Sequence, residues 1–126
     1  MTSSLLLDSH ALLWWEADDP RLGAGARRSM EQPGAALFFS AASVWELAIK
    51  QAQRKLDLPG TLLATLTEEG FNELPISSAH GLRASALPPH HRDPFDRMIV
   101  AQAQCEGLTV VTRDERIAAY GVPVLW

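Results

Sequence analysis

The chain has 126 residues, 47% of them hydrophobic and 21% charged, with a formal net charge of −4. This length predicts one domain over residues 1–126 that is large enough to bury a core. The acidic balance excludes a protein that holds nucleic acid on a broad basic surface, but it leaves open a nucleic-acid enzyme whose metal neutralises the phosphates.

Apolar runs alternate with turn signals along the whole chain. The first half predicts a strand at 5–7, helices at 11–15 and 18–32, a strand at 36–39 and a helix at 43–55. The second half begins with a turn at 58–60, a helix at 61–69, an edge strand at 71–76 and a helix at 79–87. It continues with a helix at 94–106, a strand at 108–111, a short helix at 115–119 and a last strand at 122–125. Strands that alternate with helices predict an α/β fold, with a parallel sheet covered on both faces.

The helix at 43–55 carries Glu46, for which two purely structural roles are possible. Its buried face is predicted from apolar residues at helical spacing, namely Trp45, Ala48, Ile49 and Ala52. Ser43 and Glu46 match a capping box, in which the glutamate has a structural role. Glu46 also stands one turn before Lys50, where the two side chains can pair.

The stretch from His91 to Asp114 has the clearest local signals. Asp93 is predicted to cap a helix that starts at Pro94, and Gly107 is placed to end it in a left-handed conformation. Asp96 shares the apolar face of this helix, where an unpaired carboxylate costs several kcal/mol in order of magnitude. Its position on that face indicates that something pairs it.

Four acids are predicted to converge at one edge of the sheet. Asp8 and Asp114 each follow a strand, Asp96 starts the helix before the Asp114 strand, and Glu46 lies one turn into its helix. Ligand sites of such sheets lie beyond the carboxyl ends of the strands. Considered individually, Asp8 is also typical of a turn, and Asp114 could cap the final short helix. Glu115 is an alternative to Asp114 for any role in the site.

Crowded carboxylates raise one another's pKa, and a bound cation compensates the repulsion between their negative charges. Oxygen ligands without cysteine or paired histidines favour Mg²⁺ or Mn²⁺ over zinc. Such an ion suits phosphoryl chemistry.

The residues around the acids allow several interpretations. Arg92, Arg97 and Arg113 flank the acids and either pair with them or contact phosphate. His90 and His91 stand in a Pro-rich loop that is interpreted as solvated surface or as a contact for substrate. The tryptophans, which include Trp14, Trp15 and Trp126, are interpreted as core or interface material without chemistry.

Four segments cover essentially the whole chain in order: LLLDSHALLWW, SAASVWELAIK, HHRDPFDRMIVAQAQCEGLTVVTRD and YGVPVLW. Together they resemble PIN-domain proteins, specifically the ribonuclease toxins of VapBC-type toxin–antitoxin pairs. The resemblance implies a three-layer α/β/α sandwich with a five-stranded parallel sheet, metal-dependent endoribonuclease activity, a homodimer and a cognate antitoxin. It places the family's acidic quartet on Asp8, Glu46, Asp96 and Asp114, with Thr112 as the hydroxyl beside the last acid.

The resulting hypothesis is hydrolysis of an RNA phosphodiester with Mg²⁺ or Mn²⁺. Asp8, Asp96 and Asp114 would bind the metal, while Glu46 would hold a second ion or orient the attacking water. Substrate contacts are expected from residues beside the acids: Thr112, Arg92 and His91.

Two alternatives stay open. An Asp-nucleophile phosphatase would need an acid where His10 stands, and a phosphoacceptor domain would need a lysine near the last strand. A non-catalytic module that only binds a partner protein is the second alternative.

The expected location is cytoplasmic. Cys105 is the only cysteine, so no intramolecular disulfide forms. The apolar run near the N-terminus is broken by Asp8 and His10, so neither a signal peptide nor a membrane span is predicted.

Overall fold

The computed structural model of the chain describes residues 3–58, 60 and 62–126. Its first elements are β1 (Ser4–Leu7), α1 (Ser9–Glu16), α2 (Ala24–Met30), β2 (Ala36–Ser40), α3 (Ala41–Ala52) and α4 (Leu62–Glu68). They are followed by β3 (Asn72–Leu74), α5 (Ser78–Ala86), α6 (Pro94–Glu106), β4 (Thr109–Val111), α7 (Glu115–Ala118) and β5 (Val124–Leu125). Pro59 of the predicted turn and Thr61, the predicted start of α4, lie outside the described residues.

The five strands form one parallel sheet in the order β3-β2-β1-β4-β5, which confirms the predicted fold class. The central strand β1 pairs with β2 on one side and β4 on the other. The chain leaves β1 towards β2 and β3, and then returns to the opposite side of β1 for β4. The strand order therefore reverses between β1 and β4, which is where α/β sheets open a crevice for ligands.

Helices cover both faces of the sheet, so the α/β/α sandwich is confirmed. Leu5 and Leu7 of β1 pack with residues of α1, α2 and α4 in one core cluster, while Leu6 packs with residues of α6 and α7 in a second. All three leucines are fully buried, as expected for a strand covered on both sides. The sandwich holds the carboxyl ends of β1 and β4 in a fixed position.

The predicted buried face of α3 is wrong. The helix starts earlier, because Ser40 rather than Ser43 caps it by accepting the N–H of Ala42. Trp45 is 63% exposed, and Ala48 is exposed as well. The buried residues of the helix are Ala42, Ser43, Glu46 and Leu47. Glu46 lies on the inward face because it lines a cleft, so apolar spacing alone gave the wrong face.

Two predicted elements are much shorter than the sequence suggested. The signal at Asp18-Asp19-Pro20 marks a turn, in which Asp18 has a positive φ of 50° and Asp19 accepts the N–H of Arg21. The helix therefore starts only at Ala24. The predicted strand at 71–76 is reduced to three residues at the sheet edge. No helix in the described ranges is long and apolar enough to cross a membrane.

Candidate active site

The four predicted acids all line one cleft at the carboxyl ends of β1 and β4, with a volume of about 440 Å³. Asp8 follows β1, Asp114 follows β4, Glu46 lies on α3, and Asp96 lies in the first turn of α6. The structure thus brings together residues that are far apart in the chain.

Asp8 caps a helix and faces the cleft at the same time. Its Oδ1 accepts the N–H of Ala11 at 2.8 Å, which fixes the carboxylate at the start of α1. Burial raises the pKa of Asp8 above its ordinary value, and a hydrogen bond from the Thr112 hydroxyl only partly offsets this effect. The turn chemistry of Asp8 is therefore present as a helix cap, and its carboxylate also lines the cleft.

Glu46 is held by side chains and has no role as a cap. Its Oε1 accepts a hydrogen bond from Ser9 Oγ at 2.6 Å, and its Oε2 lies 3.2 Å from Lys50 Nζ. The capping-box interpretation is wrong, since Ser40 performs that role. The predicted pair with Lys50 is present. Ser9, which the sequence did not single out, fixes one of the two carboxylate oxygens.

Asp96 is a second acid of the cleft whose pKa is strongly raised. Burial and the neighbouring Asp93 carboxylate raise the pKa of Asp96 to about 7, with further contributions from Glu46 and Asp8. His91 opposes this shift. Asp93 itself caps α6, because its Oδ1 accepts the N–H groups of Asp96 and the residue before it. The predicted cap is therefore confirmed, and the charge of the capping carboxylate raises the pKa of Asp96.

His91 is buried, with 3% exposure, so its interpretation as solvated surface is wrong. Its Nδ1 accepts the N–H of Asp93 at 3.1 Å, and therefore the ring proton is on Nε2. That N–H points between Asp96 Oδ2 at 3.1 Å and Asp114 Oδ2 at 3.0 Å. The position of His91 two residues before a helix cap was the only sequence signal for this contact.

Asp114 caps α7 and closes the cleft on the β4 side. Burial raises the pKa of Asp114, but hydrogen bonds from Arg116 and His91 outweigh burial and leave the pKa below its ordinary value. Thr112 is buried, and its hydroxyl accepts the N–H of Asp114 at 3.0 Å. Of Asp8, Asp96 and Asp114, Asp114 is thus the acid whose pKa is lowered rather than raised.

The predicted flanking arginines have different surroundings. Arg97 points away from the acids and donates to the carbonyl oxygens of Ala84, Leu87 and Pro88, so it holds the loop before α6. Arg92 is exposed at the rim of the cleft. Arg116 is the arginine that pairs with an acid of the cluster, at 3.2 Å from Asp114.

The donor set fits a hard divalent cation. His91, Asp96 and Asp114 offer ligand atoms within 4.8 Å of one another, and Asp8 and Glu46 line the same cleft. The raised pKa values of Asp8 and Asp96 show that negative charge is poorly compensated here, and a cation would relieve this strain. In this arrangement His91 is a hydrogen-bond donor, so the ligands would be carboxylate oxygens, which Mg²⁺ and Mn²⁺ prefer.

A sequence profile described as the PIN domain matches residues 5–123, nearly the whole chain. The chain belongs to the PIN-domain family. Ribonuclease VapC22 from Mycobacterium tuberculosis is 33% identical to this PIN domain over 124 residues, which are 96% of this chain and 95% of that protein.

Solved structures show the same fold. VapBC2 from Rickettsia felis, bound to a DNA fragment from its promoter, matches this PIN domain with a TM-score of 0.71 at 14% identity. DNA-bound VapBC from Salmonella typhimurium matches with a TM-score of 0.71 at 18% identity. Each match covers 98% of this chain and 97% of the other chain. At these identities the likeness concerns the fold.

Proposed function

We propose that this chain, as a single PIN domain over residues 1–126, is a metal-dependent endoribonuclease and the toxin of a toxin–antitoxin pair. The observation that carries the proposal is the cluster of four carboxylates at the point where the strand order reverses. The name of the Mycobacterium tuberculosis relative supports ribonuclease activity, and the VapBC titles of the structural neighbours support an antitoxin partner.

Asp8, Asp96 and Asp114 would hold Mg²⁺ or Mn²⁺. The bound ion would supply an acidified water and would stabilise the charge that develops on the phosphate. Thr112 supports this role, since its hydroxyl hydrogen-bonds Asp8 and also accepts the N–H of Asp114. The His91 N–H would hold Asp96 and Asp114 apart at a fixed spacing.

Glu46 is the group placed to orient the attacking water or to hold a second ion. Ser9 and Lys50 each occupy one of its oxygens, and each oxygen can still accept one further hydrogen bond. The two donors fix the plane of the carboxylate, so a water bound to it has a defined position. Arg92 at the rim of the cleft is the expected contact to the substrate phosphates. Thr112 is buried behind the acids, so its hydroxyl would act by positioning Asp8 and Asp114.

The test is cleavage of single-stranded RNA by the purified protein. We expect cleavage with Mg²⁺ or Mn²⁺, none in EDTA, and none by Asp8→Asn with either metal. Asp18→Asn is the matched control, because Asp18 is exposed, lies outside the cleft and pairs with Arg27. Undiminished cleavage in EDTA, with Asp8→Asn behaving like the wild type, would refute the proposed function.

The same cleft accounts for inhibition by an antitoxin. A guanidinium or ammonium group of the partner would bridge carboxylates such as Asp8, Glu46 and Asp96 and occupy the position of the metal. Binding of an antitoxin peptide should weaken in the Asp8→Asn, Asp96→Asn double variant, and excess Mn²⁺ should compete with it. Equal calorimetric affinities for the double variant and the wild type would place the anchor elsewhere.

The family resemblance also leads us to propose a homodimer and a cytoplasmic location. Light scattering of the purified protein measures the first, and fractionation of producing cells measures the second. A monomer at micromolar concentration would contradict the homodimer.

A further inference from the structure

A second groove of about 750 Å³ opens beside the acidic cleft and is continuous with it, since Asp8, His10, Asp114 and Arg116 line both. The other side chains of the groove that matter here are Trp14, Arg21, Arg113 and Trp126. A ligand that fills the groove therefore extends to Asp8 and Asp114.

Arg113 is the central side chain of this groove. Its guanidinium carbon lies 4.6 Å from the ring centroid of Trp14 and 5.9 Å from that of Trp126. Across residues 3–58, 60 and 62–126, no oxygen accepts a hydrogen bond or forms an ion pair with this guanidinium. Stacking therefore holds the plane of the group, while its N–H donors stay free for a ligand.

Arg113 is the lining arginine that an acid does not neutralise in the part of the chain that the structure describes. The groove is lined by three arginines and three acids, namely Arg21, Arg113 and Arg116 with Asp8, Asp114 and Glu115. Arg21 pairs with Asp19, and Arg116 pairs with Asp114. A phosphate that reaches the carboxylate cluster through this groove therefore meets the guanidinium of Arg113 beside it.

His10 supplies a flat surface next to the arginine. Its ring stacks on Trp14 with the centroids 5.4 Å apart and the planes inclined by 19°. Trp14 is buried and held in place by Trp126, so it supports the exposed imidazole from behind. His10 is exposed and lines both the groove and the cleft. An exposed aromatic face of this kind can stack an unpaired base.

We propose that this groove binds the nucleotide next to the scissile phosphodiester in a single-stranded RNA. Arg113 donates to the phosphate of that nucleotide, and its base stacks on the outer face of His10. A duplex keeps its bases inside the stack, so His10 discriminates in favour of single strands. The proposal rests on the proposed function, because the groove leads to the carboxylates that would cleave the strand.

The experiment measures fluorescence anisotropy of a labelled single-stranded oligoribonucleotide on the Asp96→Asn protein with Mg²⁺, so that the RNA is not consumed. We expect Arg113→Ala to weaken binding roughly tenfold and to lower the slope of log affinity against log salt by about 0.7, the value for one phosphate contact on a single strand. Arg113→Lys should keep the slope and lose part of the affinity. Arg83→Ala, an exposed arginine on α5, is the control and should change neither quantity by more than the shared loss of net charge.

His10 is tested in the same assay. His10→Ala should weaken binding of the single strand by about tenfold, His10→Phe should restore it, and the matching duplex should be insensitive to both. Equal affinities for Arg113→Ala and Arg83→Ala would overturn the proposal. It would also be overturned if the duplex were as sensitive to His10→Ala as the single strand, or if the Arg113 variants lost only antitoxin binding.

These outcomes are distinct from failure of the proposed function. A wild-type protein that binds RNA through Arg113 and His10 but never cleaves it would refute the nuclease and leave the groove intact. A protein that cleaves normally in the Arg113→Ala and His10→Ala variants would refute the groove alone.

Discussion

Replacing Asp96 by asparagine should stabilise the metal-free protein at pH 8. The folded structure raises the pKa of Asp96 from 3.8 to about 7, first through burial and then through the Asp93 carboxylate. At ~1.4 kcal/mol for each tenfold change, ionising this group in the folded state costs up to ~4 kcal/mol. Asparagine accepts the His91 N–H less strongly than a carboxylate does, so we expect a net gain of ~2 kcal/mol.

The raised pKa of Asp96 makes the stability of the wild-type protein depend on pH. Because the folded-state pKa is higher than the unfolded one, the contribution of protonated Asp96 is fully present below about pH 4 and is lost as the pH rises through about 7. Asp96→Asn removes this dependence. The variant should therefore melt higher than the wild type at pH 8, by roughly 8 °C at ~4 °C per kcal/mol for a domain of this size, and the two should converge at pH 5.

The assay is thermal unfolding in EDTA at both pH values, followed by circular dichroism. Glu31→Gln, which removes an exposed carboxylate outside the cleft, is the control and should melt like the wild type at both pH values. Adding Mn²⁺ at pH 8 should raise the melting temperature of the wild type and should raise that of Asp96→Asn much less. A variant that melts below the wild type at pH 8, or a difference that persists unchanged at pH 5, would refute the electrostatic reasoning.

Three further substitutions test the contacts around the cleft. Asp93→Ala should lower the free energy of unfolding by ~1 kcal/mol, because two N–H groups of α6 lose their acceptor. The folded variant should retain considerable activity. Loss of activity without loss of stability in a denaturant titration would contradict this prediction. Arg97→Ala should destabilise by about 2–3 kcal/mol, against nearly none for the exposed Arg83→Ala, because a half-buried guanidinium binds several carbonyl oxygens. Ser9→Ala should lower kcat with little change in melting temperature or KM, because it removes the hydrogen bond to one oxygen of Glu46. An unchanged kcat would show that this hydrogen bond does not orient the carboxylate.

Local sequence signals determined the elements whose ends depend only on neighbouring residues. Asp93, Pro94 and Gly107 predicted the limits of α6, and the structure has the cap, the first-turn proline and a glycine with φ of 67°. These signals worked because caps and left-handed stops are satisfied within a few residues of the chain. The alternation of strands and helices determined the parallel sheet, and with it the edge where Asp8 and Asp114 lie.

Only the tertiary structure decided which side chains meet at that edge. Ser9 and Glu46 are 37 residues apart in the chain, and His91 and Asp114 are 23 apart, so no local pattern connects them. The face of α3 depended on the same contacts, because Glu46 turns towards the cleft, where Ser9 binds it, while Trp45 stays exposed. Burying a carboxylate costs much less when partners from other elements bind it, and those partners come into reach only once the sheet has brought the elements together.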